Sequence, residues 1–182
     1  MFSVGKWNRQ RGLSLIEMIT TLSVLAAVTA VAVPNYMSAH KTAVVENKAI
    51  QLLSVLEMGQ SESLKRHRHI YVHYVPTSEI ADGCIGLSEK PDVSNFDCSD
   101  SEGLKKIALD RSGTLSVQEP ELNAPSKLFH FSPMTGLPSN NKTVKLTSGT
   151  ETGKESGVMI RQYSGLKGCS NTAIGDWESC PS

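Results

Sequence analysis

One carboxylate stands at the edge of a long uncharged stretch. Glu17 is followed by the run Met18–Ala39, in which no side chain carries a formal charge. A carboxylate at bilayer depth is costly to bury alone and is usually kept for function. The chemistry it offers there is charge neutralisation, which turns a membrane anchor into a candidate for assembly. The residues before it read Gly12-Leu13-Ser14-Leu15-Ile16-Glu17, preceded by the cations Lys6, Arg9 and Arg11. A secretory signal peptide would place its cleavage site after the apolar core, at small residues in an A-x-A pattern. Here the glycine comes before the apolar run, and the run is long enough to cross a bilayer as a helix. A plain signal anchor, with Glu17 as a tolerated polar residue near the interface, is the alternative.

The remaining candidates for chemistry are the cysteines and a basic cluster. Cys84, Cys98, Cys169 and Cys180 permit three pairings. Cys84–Cys98 and Cys169–Cys180 are favoured because each closes a short local loop. The spacing contains no C-x-x-C and the histidines lie elsewhere, so a zinc site is not expected. Lys65-Arg66-His67-Arg68-His69, with His73 beyond, concentrates positive charge. One reading is an anion or DNA patch of Lys65, Arg66, Arg68 and Lys167, since several cations together release counterions from phosphates. Tyr71 and Tyr74 would then stack on bases. The other is a helix C-terminus whose cations meet the helix dipole. This second reading is preferred, and DNA is not the favoured partner.

Catalysis is not expected. There is no G-x-S-x-G nucleophile motif and no Gly-rich phosphate loop, so no catalytic residue and no cofactor is assigned. Asp97, Asp100 and Glu102 are oxygen donors of the kind calcium takes, but they lack the EF-hand pattern. They read as a solvated loop around Cys98, with no metal site.

The elements that must position these residues follow from pattern. The 182 residues suit one modest domain plus an anchor. A helix is predicted from about Leu13 to about Arg68, kinked at Pro34, which lacks a backbone donor. Its first half, residues 13–39, is apolar all round. Its second half, residues 40–69, is amphipathic, with Ala43, Val44, Ile50, Leu53, Leu56 and Leu64 as the apolar face. Strands are predicted at Ile70–Val75, Lys105–Leu109, Thr114–Val117, Lys127–Ser132, Thr143–Leu146 and Gly157–Tyr163. Asp110-Arg111-Ser112-Gly113 suggests a hairpin between the second and third of these, and 147–156 reads as a loop. The fold class is therefore α+β: a long N-terminal helix, transmembrane then amphipathic, packed on a small antiparallel sheet domain at 70–182. Cations precede the apolar run, so the first residues should stay cytoplasmic and the rest face the periplasm, where disulfides are stable.

The N-terminal constellation resembles that of type IV pilins and type II secretion pseudopilins. In that family a short basic leader ends in glycine, a dedicated prepilin peptidase cuts after it, and the new N-terminus is methylated. The resemblance makes 1–12 the leader, Gly12–Leu13 the cleaved bond, Leu13 the methylated residue and Glu17 the fifth residue of the mature chain. Pro34 falls where the family carries a helix-kinking proline, and Leu13 stands where phenylalanine is usual. Removing the leader takes away three cations, leaving 15 basic against 18 acidic side chains, and such mild acidity gives no global field for nucleic acid.

Further along, Leu64-Lys65-Arg66 entering a strand, Phe131-Ser132-Pro133-Met134-Thr135-Gly136 and the strand at Val158–Ile160 running to Gly165 resemble the GspH/FimT type of minor pilin. Members active in DNA uptake share an arginine-bearing motif near the C-terminus. The matching stretch here, Gly165-Leu166-Lys167-Gly168, has a lysine and no arginine. The resemblance implies a single-pass inner-membrane subunit of a type IV pilus or type II secretion pseudopilus. Its partners would be other pilins, the prepilin peptidase and an inner-membrane assembly platform. Glu17 would pair with the free amine of Leu13 on a neighbouring subunit; the alternative is a contact with the N-terminus of its own chain.

Overall fold

The computed structural model describes residues 14–76, 83–96, 98, 104–109, 116–118, 124–147, 155–171 and 176–181. The chain divides into two units, Met1–Ala39 and His40–Ser182. Helix α1, Leu15–Arg66, contributes to both and continues through Pro34.

In the second unit, α1 packs on two sheets that count eight strands among the described residues. The strands are β1 (Ile70–Val75), β2 (Gly83–Ser88), β3 (Lys105–Leu109), β4 (Ser116–Gln118), β5 (Ser126–Phe131), β6 (Lys142–Thr147), β7 (Glu155–Arg161) and β8 (Gly165–Ser170). They form two four-stranded antiparallel sheets, ordered β3-β2-β1-β5 and β4-β6-β7-β8. The α+β class holds. The core joins Val45, Ala49, Leu52, Val55 and Leu56 of α1 to Ile70, Val72, Leu87 and Phe131 of the first sheet and Val144, Leu146, Val158 and Ile160 of the second.

Two expectations are corrected. The hairpin around Asp110–Gly113 does not form: β3 pairs with β2 in the first sheet, whereas β4 pairs with β6 in the second. Residues 110–115, between β3 and β4, lie outside the described residues. The buried face of α1 is also rotated from the one predicted. It runs through Val45, Ala49, Leu52, Val55, Leu56, Gly59 and Ser63, while Ala43, Ile50 and Leu64 are exposed. Close approach is the reason. A Cβ on Gly59 would lie 2.9 Å from Leu87 Cδ2 and 3.1 Å from Phe131 Cε2, so any side chain there would have to push these two back. Ser63 tolerates burial because its hydroxyl donates to the Gln60 carbonyl at 2.8 Å.

A bulge explains why β5 does not alternate cleanly. Val72 faces Phe129 but His73 faces Lys127, leaving Leu128 as the extra residue. Leu128 and Phe129 are consequently both buried. After β5 the chain turns at Ser132–Gly136, where the Gly136 amide donates to the Ser132 carbonyl at 2.8 Å. Gly136 takes a φ of 67°, in the left-handed region that favours glycine.

The end of α1 uses a non-glycine residue in that region. His67 has a φ of 52°, and the Arg68 amide donates back to the Ser63 carbonyl at 3.3 Å, as in a helix stop of Schellman type. A side chain at such a position costs about 1 kcal/mol relative to glycine. His67→Gly is therefore expected to raise the stability of the globular unit by about 0.5–1 kcal/mol, read as a higher midpoint in chemical denaturation. An unchanged or lower midpoint would show that the imidazole offsets its backbone strain.

Candidate functional site

Within Met1–Ala39, the described helix has no buried residue. Leu15, Ile16, Leu22, Val24, Leu25 and Val31 are each more than half exposed. An 18-residue window of α1 reaches a mean hydropathy of 2.0 with none of it buried, so the helix is long and apolar enough to cross a membrane. A surface this apolar needs lipid or other helices against it. The hydroxyls along it are already satisfied. Thr20 Oγ1 donates to the Glu17 carbonyl at 3.0 Å, Thr21 Oγ1 to Met18 at 2.9 Å, Ser23 Oγ to Ile19 at 2.8 Å and Thr29 Oγ1 to Leu25 at 3.0 Å. Such back-bonding lets these residues face hydrocarbon without an open polar group.

The first turn is built at Ser14, whose carbonyl accepts from the amides of Glu17 at 3.0 Å and Met18 at 3.1 Å. Glu17 is the acidic residue of that turn, where the helix dipole favours negative charge, and its side chain is exposed. Gly12 and Leu13 lie outside the described residues. Pro34 is within the helix and offers no amide to the carbonyl of Ala30.

The basic cluster is tied up in ion pairs. Glu62 accepts from Arg66 Nε at 2.7 Å and Lys65 Nζ at 3.4 Å, and Glu89 accepts from Arg66 at 2.8 Å and Arg68 at 3.4 Å. The Arg66 hydrogen bond holds the Glu62 carboxyl below its ordinary range, and Glu62 in turn raises the guanidinium. Lys167 sits on β8 of the other sheet, 3.9 Å from Glu178. Tyr74 cannot stack on a base, because strand alternation turns it into the core with Ile70 and Val72, and it is 6% exposed.

Disulfides join Cys84 to Cys98 and Cys169 to Cys180. The second holds the C-terminal segment on the edge of β8, where the Ser170 amide donates to the Glu178 carbonyl at 2.8 Å. Asp97, Asp100 and Glu102 lie outside the described residues. Among the described residues no His, Cys, Asp or Glu group is arranged to hold a metal.

Sequence reasoning passed over a histidine-aromatic group on the outward face of the first sheet. His130 lies opposite Tyr71 on the neighbouring strand. Its ring centroid is 4.9 Å from that of His69 and 5.5 Å from that of Tyr71. Lys127 Nζ lies 5.6 Å from the centre of the Tyr71 ring. Burial, then the charges of His69 and Lys127, lower the His130 pKa. The period-two spacing of Tyr71 and His73 was the available signal, but the pairing of β1 with β5 that sets His130 opposite Tyr71, and the bulge that sets Lys127 opposite His73, are not written in that spacing.

Residues 7–33 match the model of the prokaryotic N-terminal methylation motif. That motif marks type IV pilin-like proteins and implies processing by a prepilin peptidase and assembly with other pilins. The matched residues contain Glu17 and end just before Pro34, so the similarity lies in the exposed apolar half of α1 and the residues before it. No curated protein and no solved structure matches the chain.

Proposed function

We propose that the chain is a minor pilin or pseudopilin of GspH/FimT type. It is cut between Gly12 and Leu13, methylated on Leu13 and held as a single pass in the inner membrane with its globular unit in the periplasm. From there it enters a type IV pilus or type II secretion pseudopilus, which it helps to initiate or cap. Its work is assembly and not catalysis, and it needs no cofactor. The observation that carries this reading is Glu17, a single carboxylate in the first turn of a helix whose apolar first half has no buried residue, inside the matched motif. Unpaired, it opposes burial among apolar helices; opposite the amine of Leu13 on a neighbour, it favours docking at one axial stagger.

Intact mass and N-terminal sequencing of the protein from its host membrane test the reading. The expected chain starts at Leu13, carries one added methyl group and lacks the hydrogens of two disulfides. A chain that keeps Met1–Gly12 would overturn it.

A further inference from the structure

His73 is fully buried, yet it projects from the face of β1 opposite the core. What lies over it is the segment Glu89–Phe96, which follows β2 and is tied back to that strand just beyond by the Cys84–Cys98 bond. Phe96 lies over His73, with ring centroids 5.2 Å apart. It fits there because Gly86, the β2 residue paired with His73, has no side chain. A Cβ on Gly86 would come within 2.4 Å of Phe96 Cζ. Asp92 caps the 3-10 turn Val93–Asn95 of this segment by accepting from the Ser94 amide at 3.0 Å.

The hydrogen bonding of His73 fixes its neutral tautomer. Nε2 is 3.0 Å from the Lys90 carbonyl, and a carbonyl only accepts, so Nε2 carries the proton. Nδ1 is then a bare acceptor, buried and without a hydrogen-bond partner among the described residues.

We infer that Glu89–Phe96 is an acid-released strap: protonation of His73 at Nδ1 lifts the segment from the first sheet and uncovers His73 beside the part-exposed Tyr71 and His130. Protonation would place a full charge and an unpaired N–H beneath an aromatic ring, which a buried site does not tolerate. Among the described residues no group supplies a partner. Lys127 on β5 opposes the charge and Asp92 on the strap favours it, Tyr71 on β1 and Gly86 on β2 bring none, and Lys106 on β3, level with Gly86, donates to the Cys98 carbonyl. Burial is the first cause of the lowered His73 pKa, with Lys127 adding to it and the Lys90 and Asp92 interactions opposing it. The neutral form and the closed strap therefore persist somewhat below the ordinary histidine range before giving way. The Cys84–Cys98 bond keeps the strap attached when it lifts, so closure on return to neutral pH is local and reversible. The inference rests on the globular unit and is independent of the pilin reading.

The test is hydrogen exchange, read by mass spectrometry, on the full chain in detergent micelles. Exchange is compared at about pH 7.5 and about pH 5, either side of the ordinary histidine value, with times scaled for the intrinsic pH dependence of exchange. Amides of 89–96 are expected to lose protection by at least about tenfold at the lower pH, reversibly, while β7 keeps its protection. His73→Phe retains a buried ring and removes the proton site, so its strap should be equally protected at both values. His130→Gln should respond as the wild type does. Equal protection of the wild-type strap at both values would overturn the inference. So would an acid response that survives in His73→Phe or is lost in His130→Gln. A further check needs no variant: the ring NMR signal of His73 should titrate with the same midpoint as the loss of strap protection, and separate midpoints would overturn the inference too.

Discussion

Glu17→Ala is expected to abolish incorporation of the chain into filaments while leaving the unit His40–Ser182 folded. The carboxylate sits in the first turn of α1, and the side chains that follow it to Ala39 are exposed and uncharged. Holding an acidic side chain at bilayer depth costs roughly 2.5–3.5 kcal/mol, equivalent to a preference of roughly 60- to 300-fold between paired and unpaired states. Pairing with the amine of a neighbour's Leu13 would recover that difference on assembly. Alanine removes the penalty of remaining in lipid and the gain on docking together, so the subunit stays in the membrane. It also leaves the neighbour's amine without a counter-charge. The measurement is the ratio of chain in sheared filaments to chain in the membrane, with a circular dichroism melt of the purified variant as the folding control. Glu17→Gln separates charge from polarity: it should fail nearly as badly, because an amide offers no counter-charge. Wild-type incorporation of either variant would remove the assembly role of Glu17.

The N-terminal half of this argument was legible because its signals are local. A carboxylate beside an uncharged run, cations before it and a glycine between them are all read within the span of the matched motif. The strands β1, β3 and β5 were visible for the same reason, through β-branched and aromatic residues next to turn signals. β2 and β8 were not, and they fail in the same way. Each carries an interior glycine, Gly86 and Gly168, which lowers strand propensity. In the fold each glycine makes room for a ring brought from elsewhere, Phe96 over Gly86 and Trp177 against Gly168. A sequence shows the missing side chain but not the distant ring that takes its place. The failed hairpin has a similar origin. A turn signal states that the chain reverses locally, not that the strand beyond returns to the same sheet. The rotated face of α1 follows from ranking residues by hydropathy, when contact with β2 and β5 selects small ones such as Ala49, Gly59 and Ser63. The outward histidine group needed the pairing of β1 with β5, and the approach of Lys127 to it needed the bulge at Leu128, which only the paired register reveals.

Phe131→Ala should be the most damaging single change in the globular unit, lowering its stability by about 3–5 kcal/mol. Domains of this kind have only about 5–15 kcal/mol in total, so the variant loses a large share of its margin. Phe131 is fully buried and meets Phe129 edge to face at 5.2 Å. It pairs with Ile70 across the sheet and with Pro138 beyond the turn. It also faces Gly59 on α1. Truncation therefore opens a cavity where the helix, the first sheet and the β5–β6 turn meet. The neighbours cannot collapse into it easily, because Gly59 has no side chain to contribute. The same geometry gives a sharper test. Gly59→Ala alone should be destabilising, since its new Cβ would press on Leu87 and the Phe131 ring. In the Phe131→Ala background the contact with the ring is gone, that with Leu87 can ease into the vacated space, and the new methyl partly fills the void. The two changes should then be non-additive by about 0.5–3 kcal/mol, with the double variant more stable than the sum of the single effects. Chemical denaturation followed by the fluorescence of Trp177, which packs on the same core, would measure all four proteins. Strict additivity would mean that Gly59 and Phe131 are not in contact, and the packing of α1 on the first sheet would have to be redrawn.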